Sequence, residues 1–132
     1  MSVVVDTSVI LAVVLNEPTK TALIRQTIGT ELVAPASLHW EVGNALSAML
    51  KRNRLTLEEA HQALLAYHQI PIRFLDVTLD DAVTIAAQFA IYAYDAYFIA
   101  CARAQSVAII TLDNGLSVAA QTAGVKVLET IV

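Results

Sequence analysis

Short, mainly apolar runs alternate with longer amphipathic segments along this chain, and this alternation most constrains its fold. The runs are rich in β-branched residues, which favour buried strands. They are Val3–Asp6, Glu31–Ala34, Ile72–Val77, Val107–Leu112 and Val125–Leu128. Strands that alternate with helices predict an α/β fold, with a central, mainly parallel sheet of about five strands and helices on both faces.

The segments between these runs carry apolar residues at helical spacing and predict seven helices. Thr56 and Glu59 have the spacing of a capping box, which marks the start of one of them. The predicted helices are Thr7–Leu15, Thr19–Ile28, Ser37–Arg52, Leu57–His68, Thr78–Ile91, Tyr94–Gln105 and Gly115–Ala123. The pattern shows no interdomain linker or repeat, so we expect a single domain over residues 1–132.

Composition limits the location and the partners of the chain. Asp6, Asn16, Glu17 and Pro18 interrupt its most apolar region, so we expect no membrane span. Cys101 is the only cysteine, which fits a reducing cytoplasm. The apolar share of 57% exceeds that of a typical soluble domain and favours a covered surface, in a homodimer or against a bound peptide. The net charge of −4 argues against a large surface for duplex DNA.

Four acidic residues stand at the edges of predicted buried elements: Asp6, Glu41, Asp95 and Asp113. Asp6 and Asp113 end predicted strands, and the other two lie at or near helix starts. Ligands of parallel sheets gather at the carboxyl ends of the strands, so all four can meet at one edge of the sheet. Clustered carboxylates repel one another unless a cation neutralises them. This pattern indicates a site for a hard metal ion, Mg²⁺ or Mn²⁺.

Each acid also has an ordinary structural explanation. Asp6 and Asp95 can each cap a helix, and Asp113 opens an Asp-Asn-Gly turn sequence. Glu41, at the margin of an apolar helix face, can point outward or pair with a base. Without a shared site, all four of these separate explanations would have to be true. The joint placement of the four acids therefore favours a shared site.

The chain resembles the PIN-domain ribonucleases, and among them the VapC-type toxins of prokaryotic toxin–antitoxin pairs. The resemblance covers nearly the whole chain. The segments that carry it are Val5–Val9, Glu41–Leu46, Tyr94–Ala100 and Thr111–Asp113. The family places its four carboxylates at the positions of Asp6, Glu41, Asp95 and Asp113. It also has a hydroxyl at Thr7 or Ser8 and a threonine at Thr111, but often an aromatic residue where this chain has Leu116.

The resemblance implies an endoribonuclease that uses Mg²⁺ or Mn²⁺, forms a homodimer and is blocked by a small antitoxin. The chemistry would be hydrolysis of RNA phosphodiesters, with single-stranded or looped RNA as substrate. Asp6, Asp95 and Asp113 would be the metal ligands. Glu41 would hold a water on the metal or a second ion. DNA would be contacted only indirectly, through the antitoxin.

Two alternatives stay open at this point. One is a receiver-like signalling module with Asp76 as phosphoacceptor, although Asp6 lacks an acidic neighbour and Lys126 lies inside the last predicted element. The other is a catalytically inactive PIN domain that only binds partners.

Overall fold

The computed structural model describes residues 1–130, and its centre is one parallel sheet of five strands. The last two residues of the predicted domain, 131 and 132, lie outside the described residues. The strands are β1 (Ser2–Val5), β2 (Glu31–Pro35), β3 (Ile72–Leu75), β4 (Ala108–Ile110) and β5 (Val127–Leu128). All four pairings are parallel, in the order β3-β2-β1-β4-β5. The predicted α/β fold is confirmed.

Seven helices connect and cover these strands, and each predicted strand and helix is present with its ends within two residues of the prediction. Thr56 caps the fourth helix and Glu59 completes the predicted capping box. The helices are α1 (Thr7–Val14), α2 (Lys20–Thr27), α3 (Ser37–Lys51), α4 (Leu57–Gln69), α5 (Leu79–Phe89), α6 (Ala93–Gln105) and α7 (Asn114–Thr122).

The core lies on the central strands and the most buried helix. Val3, Val4 and Val5 of β1 are buried, as are Ile109 and Ile110 of β4. Helix α6 packs against β1, β2 and β4, and it also packs along α5. Because α6 contributes several alanines to the core, its backbone can lie close to the sheet.

The order of the strands creates a switch point between β1 and β4. After β1 the chain builds β2 and β3 on one side, and it then returns to place β4 on the other side. Connections leave these two strands in opposite directions, which opens a crevice at their carboxyl ends. Asp6 directly follows β1, and Asp113 follows β4 by three residues. The fold therefore brings two of the predicted site residues to the edge where such sheets bind ligands.

The strand order also argues against the receiver-like alternative. Receiver-type sheets have the order 2-1-3-4-5, which differs from the order found here. Asp76 follows β3, an edge strand at the far side of the sheet from the switch point. A phosphoacceptor of the receiver type would need a central position.

No single helix within residues 1–130 is long and apolar enough to cross a membrane. Helices α5 and α6 reach that length and composition only together, and they are bent by 113° at their junction.

Candidate active site

Asp6 is a buried carboxylate at the junction of β1 and α1, with only 4% of its surface exposed. It caps α1 by accepting the Val9 backbone N–H at 3.2 Å. The Ser8 hydroxyl donates to the same oxygen, Asp6 Oδ1, at 2.7 Å, and the Thr111 hydroxyl donates to Asp6 Oδ2 at 2.6 Å. Burial raises the pKa of Asp6, and these hydrogen bonds oppose that rise, while the charge of Asp113 adds to it.

Ser8 and Thr111 tie the start of α1 to the loop after β4. The Ser8 hydroxyl accepts the Leu112 backbone N–H at 2.9 Å, and the Thr111 hydroxyl accepts the Asp113 backbone N–H at 2.9 Å. Each hydroxyl therefore donates to Asp6 and accepts from the loop that carries Asp113. The two residues therefore link the two walls of the crevice through hydrogen bonds.

Asp113 caps α7, accepting the backbone N–H groups of Gly115 at 2.8 Å and Leu116 at 3.4 Å. Both bonds use Oδ1, so its other oxygen is not engaged in the cap. The capping explanation of Asp6 is thus correct, whereas Asp113, expected to open a turn, also caps a helix. Neither cap competes with a role in a shared site. Leu116 is buried, so the position where the family often has an aromatic residue serves packing here.

Glu41 lies one turn into α3, on the flank that faces the other acids. Burial is the main cause that raises its pKa to about 7, and the charges of Asp6 and Asp95 add to the rise. The hydroxyls of Thr7 and Ser37 are close enough to lower this pKa, although neither reaches hydrogen-bond geometry. Within residues 1–130, the buried Glu41 Oε2, Thr7 Oγ1 and Ser37 Oγ have no hydrogen-bond partner.

Ser37 was missed by the sequence analysis. It is the first residue of α3 and lies four positions before Glu41, so both side chains share one side of the helix. The spacing of four residues was the sequence signal that could have linked Ser37 to Glu41. Serine is common at helix starts, so this spacing is informative only when Glu41 is known to face inward.

Asp95 is the third residue of α6, and Tyr92 occupies the cap position. The capping explanation of Asp95 is therefore wrong. Its helix also follows α5 rather than a strand, so only tertiary packing brings it to this edge of the sheet. Burial raises the pKa of Asp95, and the charge of Asp113 contributes.

These mutual effects join the four carboxylates into one electrostatic cluster. The charge of Asp113 raises the pKa of Asp6 and that of Asp95, and the charges of Asp6 and Asp95 raise the pKa of Glu41. No basic side chain lowers any of these three raised pKa values. The one ion pair in the described part of the chain, Arg73 with Glu31, lies elsewhere. Uncompensated carboxylates this close together either take up protons or are neutralised by a cation.

The oxygen atoms of these carboxylates and hydroxyls suit a hard divalent cation, but the side chains do not converge on one position that an ion could occupy. Carboxylate and hydroxyl oxygens are the ligands of Mg²⁺ and Mn²⁺, and an unpaired buried oxygen on Glu41 is available to such an ion or its water. As they stand in residues 1–130, no three acidic, histidine or cysteine side chains are close enough to hold one ion directly. Mg²⁺ usually retains several of its waters, and such waters can bridge the ion to carboxylates that do not contact it directly.

Residues 3–121 of the sequence match the PIN domain family. The chain belongs to the PIN domain family. PIN domains are generally nucleases that use divalent metal ions. A comparison with curated protein sequences found no match.

Several solved structures share this PIN fold at low sequence identity. PAE2754 from Pyrobaculum aerophilum has a TM-score of 0.74 and 21% identity, with 98% of this chain and 85% of that chain covered. VapBC2 from Rickettsia felis, bound to a DNA fragment from its promoter, has a TM-score of 0.68 and 10% identity, with coverages of 97% and 98%. A toxin–antitoxin complex from Klebsiella pneumoniae has a TM-score of 0.60 and 12% identity, with coverages of 98% for both chains.

Proposed function

We propose that this PIN domain is a metal-dependent endoribonuclease and the toxin of a type II toxin–antitoxin pair. The observation that carries the proposal is the cluster of four mutually repelling carboxylates at the switch point of the sheet. A structural role alone does not explain Glu41, whose buried oxygen has no hydrogen-bond partner within residues 1–130 and whose pKa is raised to about 7. A site that binds a cation does explain it.

In this proposal Asp6, Asp95 and Asp113 hold Mg²⁺ or Mn²⁺. When bound, the ion supplies the positive charge that stabilises the phosphate during hydrolysis. Ser8 and Thr111 orient the Asp6 carboxylate through the hydrogen bonds at 2.7 and 2.6 Å. Positioned carboxylates of this kind lose metal affinity when their hydrogen-bonding partners are removed.

Glu41 would orient the water that attacks the phosphate and accept a proton from it. Its oxygen faces the hydroxyls of Thr7 and Ser37, so a water held among these three groups would have one acceptor and two hydroxyl neighbours. An ionised Glu41 carboxylate can accept a proton from that water. This assigns Glu41 proton transfer and water orientation, and assigns the three aspartates cation binding.

The proposed substrate is single-stranded or looped RNA. Its backbone can bend so that one phosphate enters a concave site, which the backbone of a regular duplex does less readily. The net charge of −4 also supports a short contact centred on the cation over a long basic track.

The proposed protein partner is a small antitoxin. A groove of about 550 Å³ lies between the end of α1 and helix α4, lined by apolar residues such as Val13 and Leu55 and by charged residues such as Lys20 and Arg54. An amphipathic peptide segment suits such a groove. Two of the solved structures with this fold are described as VapBC2 with promoter DNA and as a toxin–antitoxin complex. DNA contact by this chain would be indirect, through the antitoxin.

We further propose that the protein works as a single PIN domain over residues 1–132, as a homodimer in the cytoplasm. Exposed Leu57, Leu65, Leu79 and Val83 support a covered surface. The single cysteine supports a reducing compartment.

Purified protein incubated with labelled single-stranded RNA tests the enzymatic part of the proposal. We expect internal cleavage with Mg²⁺ or Mn²⁺, and none after EDTA treatment. Asp95→Asn should lose this activity while Asp80→Asn, which alters an exposed carboxylate in the first turn of α5, should keep it. Equal cleavage by wild type and Asp95→Asn would contradict the assignment.

A catalytically inactive PIN binding module is the second candidate. The observation that favours it is that no three carboxylates within residues 1–130 converge on one point. Metal-independent binding of an antitoxin, without RNA cleavage under any metal, would establish this alternative.

A further inference from the structure

Two exposed aromatic side chains border the acidic cluster from different helices. Trp40 directly precedes Glu41 on α3 and is 74% exposed, and Tyr94 directly precedes Asp95 on α6 and is 58% exposed. Tyr92, at the start of α6, is 83% exposed. Side chains that large are normally covered, so their exposure beside the acids needs an explanation.

The starts of α3 and α6 open onto the same space. A cavity of about 190 Å³ is lined by Ser37 of α3 and Tyr97 of α6, and Asp95 lies near enough to Glu41 for its charge to act on that carboxyl. Successive residues on a helix point about 100° apart, and side chains lean toward the helix N-terminus. Trp40 and Tyr94 therefore point to other sides of their helices than Glu41 and Asp95 do, and both rings are exposed on the surface beside these acids.

We propose that Trp40 and Tyr94 form a base-stacking rim that holds the unpaired bases on either side of the phosphate at the acidic cluster. The inference rests on the proposed function, since it assigns binding residues to the same site. Bases have flat faces that stack on aromatic rings, and such stacking does not depend on sequence. Stacking would position the strand and add affinity that the acidic protein surface does not provide.

A second copy of the chain explains this rim less well than RNA does. Each ring stands beside an acid, and the exposed face of α3 after Trp40 carries Gly43, Asn44 and Ser47 instead of large apolar residues. The centre of a dimer interface is apolar and poor in charge. Two copies meeting at Trp40 would also bring two uncompensated acidic clusters together.

Trp40 is the only tryptophan, so its fluorescence reports on the rim directly. The protein is titrated in EDTA, which prevents cleavage, with a short single-stranded RNA and with an abasic ribose-phosphate chain of equal length. We expect saturable quenching by the RNA and much less by the abasic chain. Equal responses to both, or none to either, would overturn the inference.

Substitutions extend the test through the anisotropy of labelled RNA. Trp40→Ala should weaken binding about tenfold, whereas Trp40→Phe should restore most of the affinity. Ile28→Ala is the control, since Ile28 is 74% exposed at the end of α2. Unchanged binding in Trp40→Ala would overturn the inference, as would a concentration-dependent blue shift of Trp40 emission without RNA, which would mean that a second copy covers the ring.

The results separate this inference from the proposed function. Metal-dependent cleavage that is insensitive to Trp40→Ala would overturn the rim and leave the nuclease standing. Base-dependent quenching by a protein that never cleaves RNA would support the rim and contradict the nuclease.

Discussion

Asp6 combines two tasks, because its carboxylate both caps α1 and belongs to the acidic cluster. We predict that Asp6→Asn keeps the fold and reduces metal-dependent RNA cleavage by a factor on the order of 100 or more. The amide can still accept from Val9, and the Thr111 hydroxyl can rotate to accept from the new amide. Lost repulsion from Asp113 offsets the weaker hydrogen bonds, so the free energy of unfolding should change by about 1 kcal/mol or less.

Circular dichroism with urea denaturation checks the stability of Asp6→Asn, and an RNA gel checks its activity. Unreduced cleavage would show that Asp6 does not hold the metal. Loss of the fold would show that its cap and hydrogen bonds matter more than its charge.

Because the pKa of Glu41 is raised, we predict that the free energy of unfolding of the metal-free protein depends on pH. The pKa of Glu41 is about 7 in the folded state, against an ordinary value of 4.5 for a glutamate side chain, so the folded state binds more protons between these values. The extra proton binding by the folded state adds to the free energy of unfolding, and this stabilisation is fully present at and below pH 4.5. It is lost as the pH rises to about 7 and stays lost above that pH. We expect a loss on the order of 1–2 kcal/mol, reduced from the full shift because water reaches part of the carboxyl.

Glu41→Gln should remove this part of the pH dependence and stabilise the metal-free protein at pH 8. Urea denaturation at pH 5 and pH 8, for wild type and variant with EDTA present, measures the effect. Identical pH profiles for the two proteins would mean that Glu41 ionises normally.

At the scale of elements, Ser8 connects the first turn of α1 to the loop after β4. Ser8→Ala would leave the Leu112 backbone N–H without its acceptor and would remove a donor to Asp6. We predict a destabilisation of about 1–3 kcal/mol together with weaker metal binding, because the two walls of the crevice lose one of their links.

Ser47→Ala is the matched control, since its exposed hydroxyl only donates to the Asn44 carbonyl within α3. Thermal unfolding with and without Mn²⁺ compares the two variants. An effect of Ser8→Ala no larger than that of Ser47→Ala would show that the link between α1 and the β4 loop is unimportant.

The elements themselves were predictable from local patterns, whereas part of the site was not. Thr56 and Glu59 predicted the start of α4 because a capping box depends on residues three positions apart. Asp95 required tertiary information, because its helix follows α5 rather than a strand and only packing places α6 against β1 and β2. Ser37 was missed because its unpaired hydroxyl matters only through its neighbours Thr7 and Glu41.

At the scale of the whole molecule, exposed apolar side chains predict self-association. Exposed Leu57, Leu65, Leu79 and Val83 would gain from burial against a second copy. We expect sedimentation equilibrium at micromolar concentration to give twice the 14.2 kDa mass of the chain. A clean 14.2 kDa species at that concentration would contradict the proposed homodimer.

The proposed antitoxin predicts an effect on growth. Expression of the chain alone should arrest growth, and co-expression with the adjacent small reading frame should relieve the arrest and yield a stable complex. Val13→Asp, in the groove between α1 and α4, should weaken that complex because it puts a charge on an apolar wall. Arrest that persists on co-expression, with no complex recovered, would contradict the antitoxin proposal.

The proposed cation site joins Asp6, Glu41, Asp95 and Asp113. A crystal structure with Mn²⁺, using anomalous diffraction at the manganese edge, tests it most directly. We predict an anomalous peak among Asp6, Asp95 and Asp113, with Glu41 close enough to contact the ion or its water. Ordered carboxylates with no peak between them, or a peak bound elsewhere on the chain, would contradict the claim.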